Sequence, residues 1–171
     1  MPLVNNGQIV SDAFVHLADE DELPPEGAVL ISAARFLGNA EALIQRNSPV
    51  GVIWPNNRDV ADLVPYLDRL AMVALVFPSF RDGRAHSQAR LLRERFNYRG
   101  ELRATGQVLR DQFTFLLRNG FDAFEVSKDS DAAAFAEATQ RYTTFYQPTG
   151  EGRLTARDRR LRLRLAESAT S

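Results

Sequence analysis

Glu101-Leu102-Arg103-Ala104-Thr105-Gly106 is the stretch on which the fold turns. Read as a strand, its period of two sets Glu101, Arg103 and Thr105 on one face and Leu102 and Ala104 on the other. A central strand of an open three-layer sheet is usually apolar on both faces, so a polar face here suits a barrel interior or a sheet edge. Outward from it lie the apolar runs Ala28 to Ile31, Val50 to Trp54, Met72 to Phe77 and Ala123 to Val126, and each run is followed by a segment of helix length. The economical count is five βα units. Strands alternating with helices predict right-handed crossovers and a parallel sheet, with the loops at the strand C-terminal ends as the place for a ligand. The expected fold class is therefore α/β, about five βα units with a parallel, partial TIM-barrel-like sheet; the alternative is an open, doubly wound, Rossmann-like sheet. Five units are too few for an eight-stranded barrel, so the barrel reading needs extra strands from the N-terminal segment or from a second copy of the chain in a homodimer.

The helical segments carry their own periodicity, as in Phe36, Leu37, Ala40, Leu43 and Ile44, or Ala89, Leu92, Arg93 and Phe96. Asn119-Gly120 reads as a left-handed stop to the fourth helix, and Arg99-Gly100 as the stop to the third. Before the first unit, Gln8 to Val10 and Phe14 to Leu17 flank Ser11-Asp12-Ala13 with the spacing of a tight hairpin, placed at residues 7–18. An acidic, proline-ended linker, Asp19 to Pro25, follows it. One domain over residues 1–148 accounts for these elements. Residues 149–171 form an arginine-rich tail with Arg153, Arg157, Arg159, Arg160, Arg162 and Arg164; its plain reading is a solvated end, although Leu154, Leu161 and Leu165 could dock it as an amphipathic helix.

Composition narrows the function. At 171 residues with 44% hydrophobic and 25% charged residues, the chain is long enough to bury a core unaided. Twenty-one basic against 22 acidic residues give a net charge of −1, which supplies no global field for nucleic acid or an anionic membrane. All the basic residues but Lys128 are arginines, so any anion site is an arginine site. The chain has no cysteine, which removes disulfides, thiolate nucleophiles, Cys-held clusters and Cys zinc sites. The start, Met1-Pro2-Leu3-Val4, lacks a signal-peptide pattern, and no apolar run reaches the roughly 20 residues of a membrane span, so the cytoplasm is the expected address.

The densest polar run follows the third strand, from Phe77-Pro78-Ser79-Phe80-Arg81-Asp82-Gly83-Arg84 to Ala85-His86-Ser87-Gln88-Ala89-Arg90. Asp82 is placed to cap a helix, Gly83 permits close backbone approach, and Arg84 and Ser87 flank the free N–H groups. The next unit repeats the pattern: Arg103 projects from the strand, and Thr105 and Gly106 are read as opening the fourth helix. Side by side, Asp82, Gly83, Arg84, Ser87, Arg103, Thr105 and Gly106 would form one pocket for a small oxyanion such as phosphate, sulfate or sulfite. The plainer reading makes Asp82 and Thr105 ordinary caps and Arg103 a buried partner of Glu101 or Glu125. His86 could act as an acid or base, but a lone histidine at a helix start is more often a surface group. No catalytic residue is assigned. Two histidines far apart, His16 and His86, suggest no metal, and Asp59, Asp62 and Asp68 read as a solvated helix face. No Gly-rich dinucleotide or Walker-type run follows any strand, and nothing calls for a cofactor. Trp54 reads as pocket lining or core.

The run Phe77 to Arg95, with Gly100 to Gly106, Leu109 to Gln112 and Gly120 to Glu125, resembles an uncharacterised bacterial family whose members are labelled oxidoreductases involved in sulfite reduction. Their genes lie beside those of assimilatory sulfite reductase and phosphoadenylylsulfate reductase. The resemblance extends from Met1 to about Pro148. It departs at His86, where the family carries tyrosine, and in the tail. It implies an accessory protein of sulfate assimilation that binds sulfite reductase or a small oxyanion; the alternative is an enzyme, possibly flavin-dependent, using the pocket at the strand C-terminal ends.

Overall fold

Every apolar run becomes a strand in the computed structural model, which describes residues 2–5, 8–128, 130–131, 133–134 and 156–168. The strands are β1 (Leu3–Asn5), β2 (Gln8–Val10), β3 (Val15–His16), β4 (Val29–Ser32), β5 (Val50–Trp54), β6 (Met72–Phe77), β7 (Glu101–Gly106) and β8 (Ala123–Glu125); the five expected ones are β4 to β8. They form one sheet in the order β2-β1-β8-β7-β6-β5-β4-β3. From β3 to β8 each strand lies parallel beside the next in chain order, the winding of a TIM-type barrel and not the reversing order of a Rossmann-like sheet. β1 closes the far side, antiparallel to both β8 and β2.

The connectivity itself shows why the sheet curls. β2 and β3 are its two opposite edges, yet only Ser11–Phe14 separates them in the chain. Seven strand spacings laid flat would hold the edges about 34 Å apart, whereas the five steps from Val10 to Val15 reach about 18 Å at most. The sheet therefore bends into a half-barrel, and residues 11–14 form a strap across its opening. This corrects the hairpin expected at residues 7–18. The hairpin pairs Leu3 with Val10 and Asn5 with Gln8, and Val15–His16 pairs instead, in parallel, with Val29–Leu30. Phe14 is the reason: its ring packs with Leu30, Met72, Ala74 and Ile53 inside the half-barrel, which a local turn at residues 11–13 would forbid. Gly51 makes the space, since a Cβ there would press on Phe14, Leu30 and Met72.

The outer face carries the main core. Val52, Trp54, Val73, Leu75, Leu102 and Phe124 meet Phe36, Leu63, Leu92 and Phe113 from the helical layer. That layer comprises α1 (Ala33–Gly38), α2 (Ala40–Ile44), a 3-10 helix (Val60–Tyr66), α3 (Arg84–Arg90) continued by a π turn (Leu91–Arg95), and α4 (Phe113–Arg118) entered through a 3-10 turn at Arg110–Gln112. Gly120, at φ +95°, stops α4 as expected: its N–H bonds Leu117 and that of Phe121 bonds Leu116. The third helix ends earlier than expected, because Asn97 at φ +53° turns the chain and Gly100 serves instead as a close contact beside Tyr98. Part of the tail, Ala156–Ser168, is a helix with Leu161 exposed; residues 149–155 and 169–171 lie outside the described ones. Among the described residues, no helix is long and apolar enough to cross a membrane.

Candidate functional site

The inner face of the half-barrel is apolar on the β4–β6 side and charged on the β7–β8 side. The alternation of β7 aims Arg103 inward, where it is 1% exposed. Its guanidinium grips Asp12 of the strap with both ends, Nη1 to Oδ2 at 2.6 Å and Nη2 to Oδ1 at 3.0 Å. Nε donates to Glu101 at 2.9 Å and Nη1 lies 3.5 Å from Glu125 Oε1. Thr105, next on the same face, donates its hydroxyl to Glu125 Oε2 at 2.5 Å. Burial opposes charging Asp12, yet bonds from Arg103, the Phe14 N–H and His16 outweigh it and hold its carboxyl low, at about 2. Desolvation pulls the Arg103 pKa down, and Asp12 and Glu101 outweigh it and raise the already high value.

This geometry divides the seven residues proposed for one anion pocket. Arg103 and Thr105 belong to the interior network, so Arg103 takes the structural partnership with Glu101 and Glu125 that was the plainer reading, with Asp12 added. Thr105 and Gly106 do not open a helix: both end β7, and Gly106, at φ +91°, lies so close to the Phe77 carbonyl that a Cβ would collide with it. Asp82, Gly83, Arg84 and Ser87 lie at the start of α3. Gly83 is the N-cap, and Asp82 accepts from the Arg84 N–H and holds the Arg84 guanidinium at 2.7 Å. That grip drives the Asp82 carboxyl far below the usual carboxylate range. Both arginines singled out for an anion are thus already bound to carboxylates.

His86 is half-buried, not the surface group that its place at a helix start suggests. Its ring stacks edgewise against Phe77 at 5.0 Å and Phe115 at 4.7 Å, and burial pushes its pKa down. A tyrosine would fill the same aromatic slot. Trp54 is fully buried core, with Nε1 donating to the Arg58 carbonyl.

Three functional candidates escaped the sequence: Asp12, His16 and Glu125, whose ligand-type atoms all lie within 4.8 Å of one another. In the sequence His16 has no second histidine near it. The fold supplies carboxylates instead, one four residues before it and one from β8. Beside this interior, the β6 and β7 C-terminal ends present Phe80, Leu109 and Phe115, between 41% and 54% exposed. Gln107 accepts from the Phe80 N–H and Gln112 donates to the Phe80 carbonyl, tying Phe80 to the loop that bears Leu109.

Residues 51–156 match the model of a family described as bacterial protein of unknown function (DUF934). No curated protein matches the chain.

Proposed function

The chain belongs to this bacterial family of unknown function, DUF934, and on that footing we propose that it is an accessory protein of assimilatory sulfite reduction that binds the reductase. The link to sulfite reduction rests on the resemblance carried by residues 77–125. The choice of reductase over free oxyanion rests on one observation: the arginines are occupied by carboxylates, while Phe80, Leu109 and Phe115 stand unburied at the same end of the sheet. Arg81 lies over the Phe80 ring at 5.3 Å, giving the aromatic and arginine composition that protein interfaces favour. Isolated exposed apolar residues are ordinary, but two tied to one loop and a third at the neighbouring helix form a surface a partner can cover.

Gel filtration of the purified chain with purified sulfite reductase tests this. Co-elution is expected, with Phe80→Asp and Leu109→Asp each weakening it about tenfold or more and leaving the melting temperature unchanged. Absence of a complex at micromolar concentrations refutes the reading. If sulfite or sulfate raises the melting temperature while no complex forms, Asp82, Gly83, Arg84 and Ser87 become the oxyanion site in its place. A flavin absorbance band in the purified protein would favour the enzyme instead.

A further inference from the structure

We infer that Asp12, His16 and Glu125 hold a first-row divalent metal ion at the open edge of the half-barrel. His16 Nε2 lies 3.2 Å from Asp12 Oδ2 and 3.9 Å from Glu125 Oε1. Nitrogen and oxygen ligands around an ion at about 2.0–2.2 Å stand roughly 3.0–3.5 Å apart, so the two His16 distances need to close by less than 1 Å, and the two carboxylates, within 4.8 Å of each other, by at most about 1.8 Å. The trio comes from three places, the strap, β3 and β8, and it includes an imidazole, which separates it from a chance group of acidic side chains.

Charge and partners point the same way. Three carboxyl groups, those of Asp12, Glu101 and Glu125, surround one guanidinium, that of Arg103, among the described residues. Glu125 is 8% exposed, and an excess of carboxyl groups in so dry a place calls for a cation. The outer oxygens are also supported: Phe14 N–H and Arg103 Nη2 hold Asp12 Oδ1, and the Thr105 hydroxyl holds Glu125 Oε2. Ligating carboxylates are oriented in this manner by their outer partners. Arg103 Nη1 reaches towards both inner oxygens, and on ion binding it retains Asp12 Oδ1 through Nη2 and Glu101 through Nε. The His16 side chain is 49% exposed, so an ion enters past it without any unfolding. One nitrogen and two oxygens suit zinc or manganese, and they are too few, and too nitrogenous, for calcium.

The site does not depend on the docking reading and is tested separately, by titration calorimetry and melting of the full chain with Zn²⁺ or Mn²⁺, with Mg²⁺ for comparison. One Zn²⁺ or Mn²⁺ per chain and a melting rise of several degrees are expected. His16→Gln, at a half-exposed position that leaves the fold intact, should lower affinity at least tenfold, Thr105→Val about tenfold, and His86→Gln not at all. Absence of binding up to millimolar metal, or binding that His16→Gln leaves unchanged, overturns the site.

Discussion

Replacing Arg103 with methionine keeps much of the aliphatic stem and deletes the guanidinium that bridges Asp12, Glu101 and Glu125. Removing one partner of a buried pair costs about 3–5 kcal/mol, because the remaining charge is stranded. Asp12 and Glu101 keep 27% and 28% side-chain exposure and can turn towards water, so most of the penalty falls on Glu125 at 10%. That places the loss near the lower end, about 3 kcal/mol. In a chain of this length each kcal/mol moves the melting temperature by about 2–4 °C, giving a fall of roughly 6–12 °C. Thermal melts followed by circular dichroism at neutral pH measure it, with urea midpoints as a second reading. Arg84→Met provides the contrast, since its pair with Asp82 stands in solvent and its loss should leave the melt unchanged. If Arg103→Met melts within about 2 °C of the native protein, the strap is not pinned by this network and the interior carboxylates are compensated some other way.

Gly106→Val should destabilise strongly and lower the yield of folded protein, since it combines φ +91° with the adjacent Phe77 carbonyl; near-native melting would contradict that backbone approach. Asp12→Asn should cost stability at pH 7, and the gap to the native protein should close as pH falls. Its folded pKa, about 2, lies below the ordinary 3.8, so its contribution is present above about pH 4 and fades on approach to 2; urea midpoints at pH 7, 4 and 2.5 show whether it does. For His86, burial lowers the folded pKa, so acidification through the ordinary value near 6.5 protonates the unfolded state first and removes stability. His86→Phe should flatten the loss between pH 7 and 5, and an unchanged slope would show that the ring is not held neutral.

The strand positions β4 to β8 were legible because each is a continuous apolar run, a signal that needs no tertiary information. The inward polar face of β7 was legible too, as alternation at Glu101, Arg103 and Thr105. What Arg103 meets was only half legible. Glu101 and Glu125 were named, but Asp12 is 91 positions away and reaches it through a strap whose path depends on the sheet bending. The hairpin was misplaced for a related reason. Its strands are Leu3–Asn5 and Gln8–Val10, whereas Ser11-Asp12-Ala13 has the spacing of a turn only as long as the cavity that Phe14 fills is unknown. The joint anion pocket takes Gly106 as a helix start, whereas this glycine ends a strand and is pressed against Phe77, a close approach that the sequence does not display.

Because β1 pairs with β8, the first strand to leave the ribosome waits for the last strand of the sheet. Leu3 and Val4, almost fully buried in the folded protein, have no partner on β8 until residues 123–125 have been made. Closing so long a loop carries an entropic cost that grows only slowly with length, but it delays the contact until Glu125 has been made. β1 and its partner β2 are thus joined to the rest of the sheet after β4 to β7 have been made. In a nascent or truncated chain ending before β8, this segment is the region open to proteases and chaperones, and pulse-labelling hydrogen exchange should find its amides protected latest during refolding.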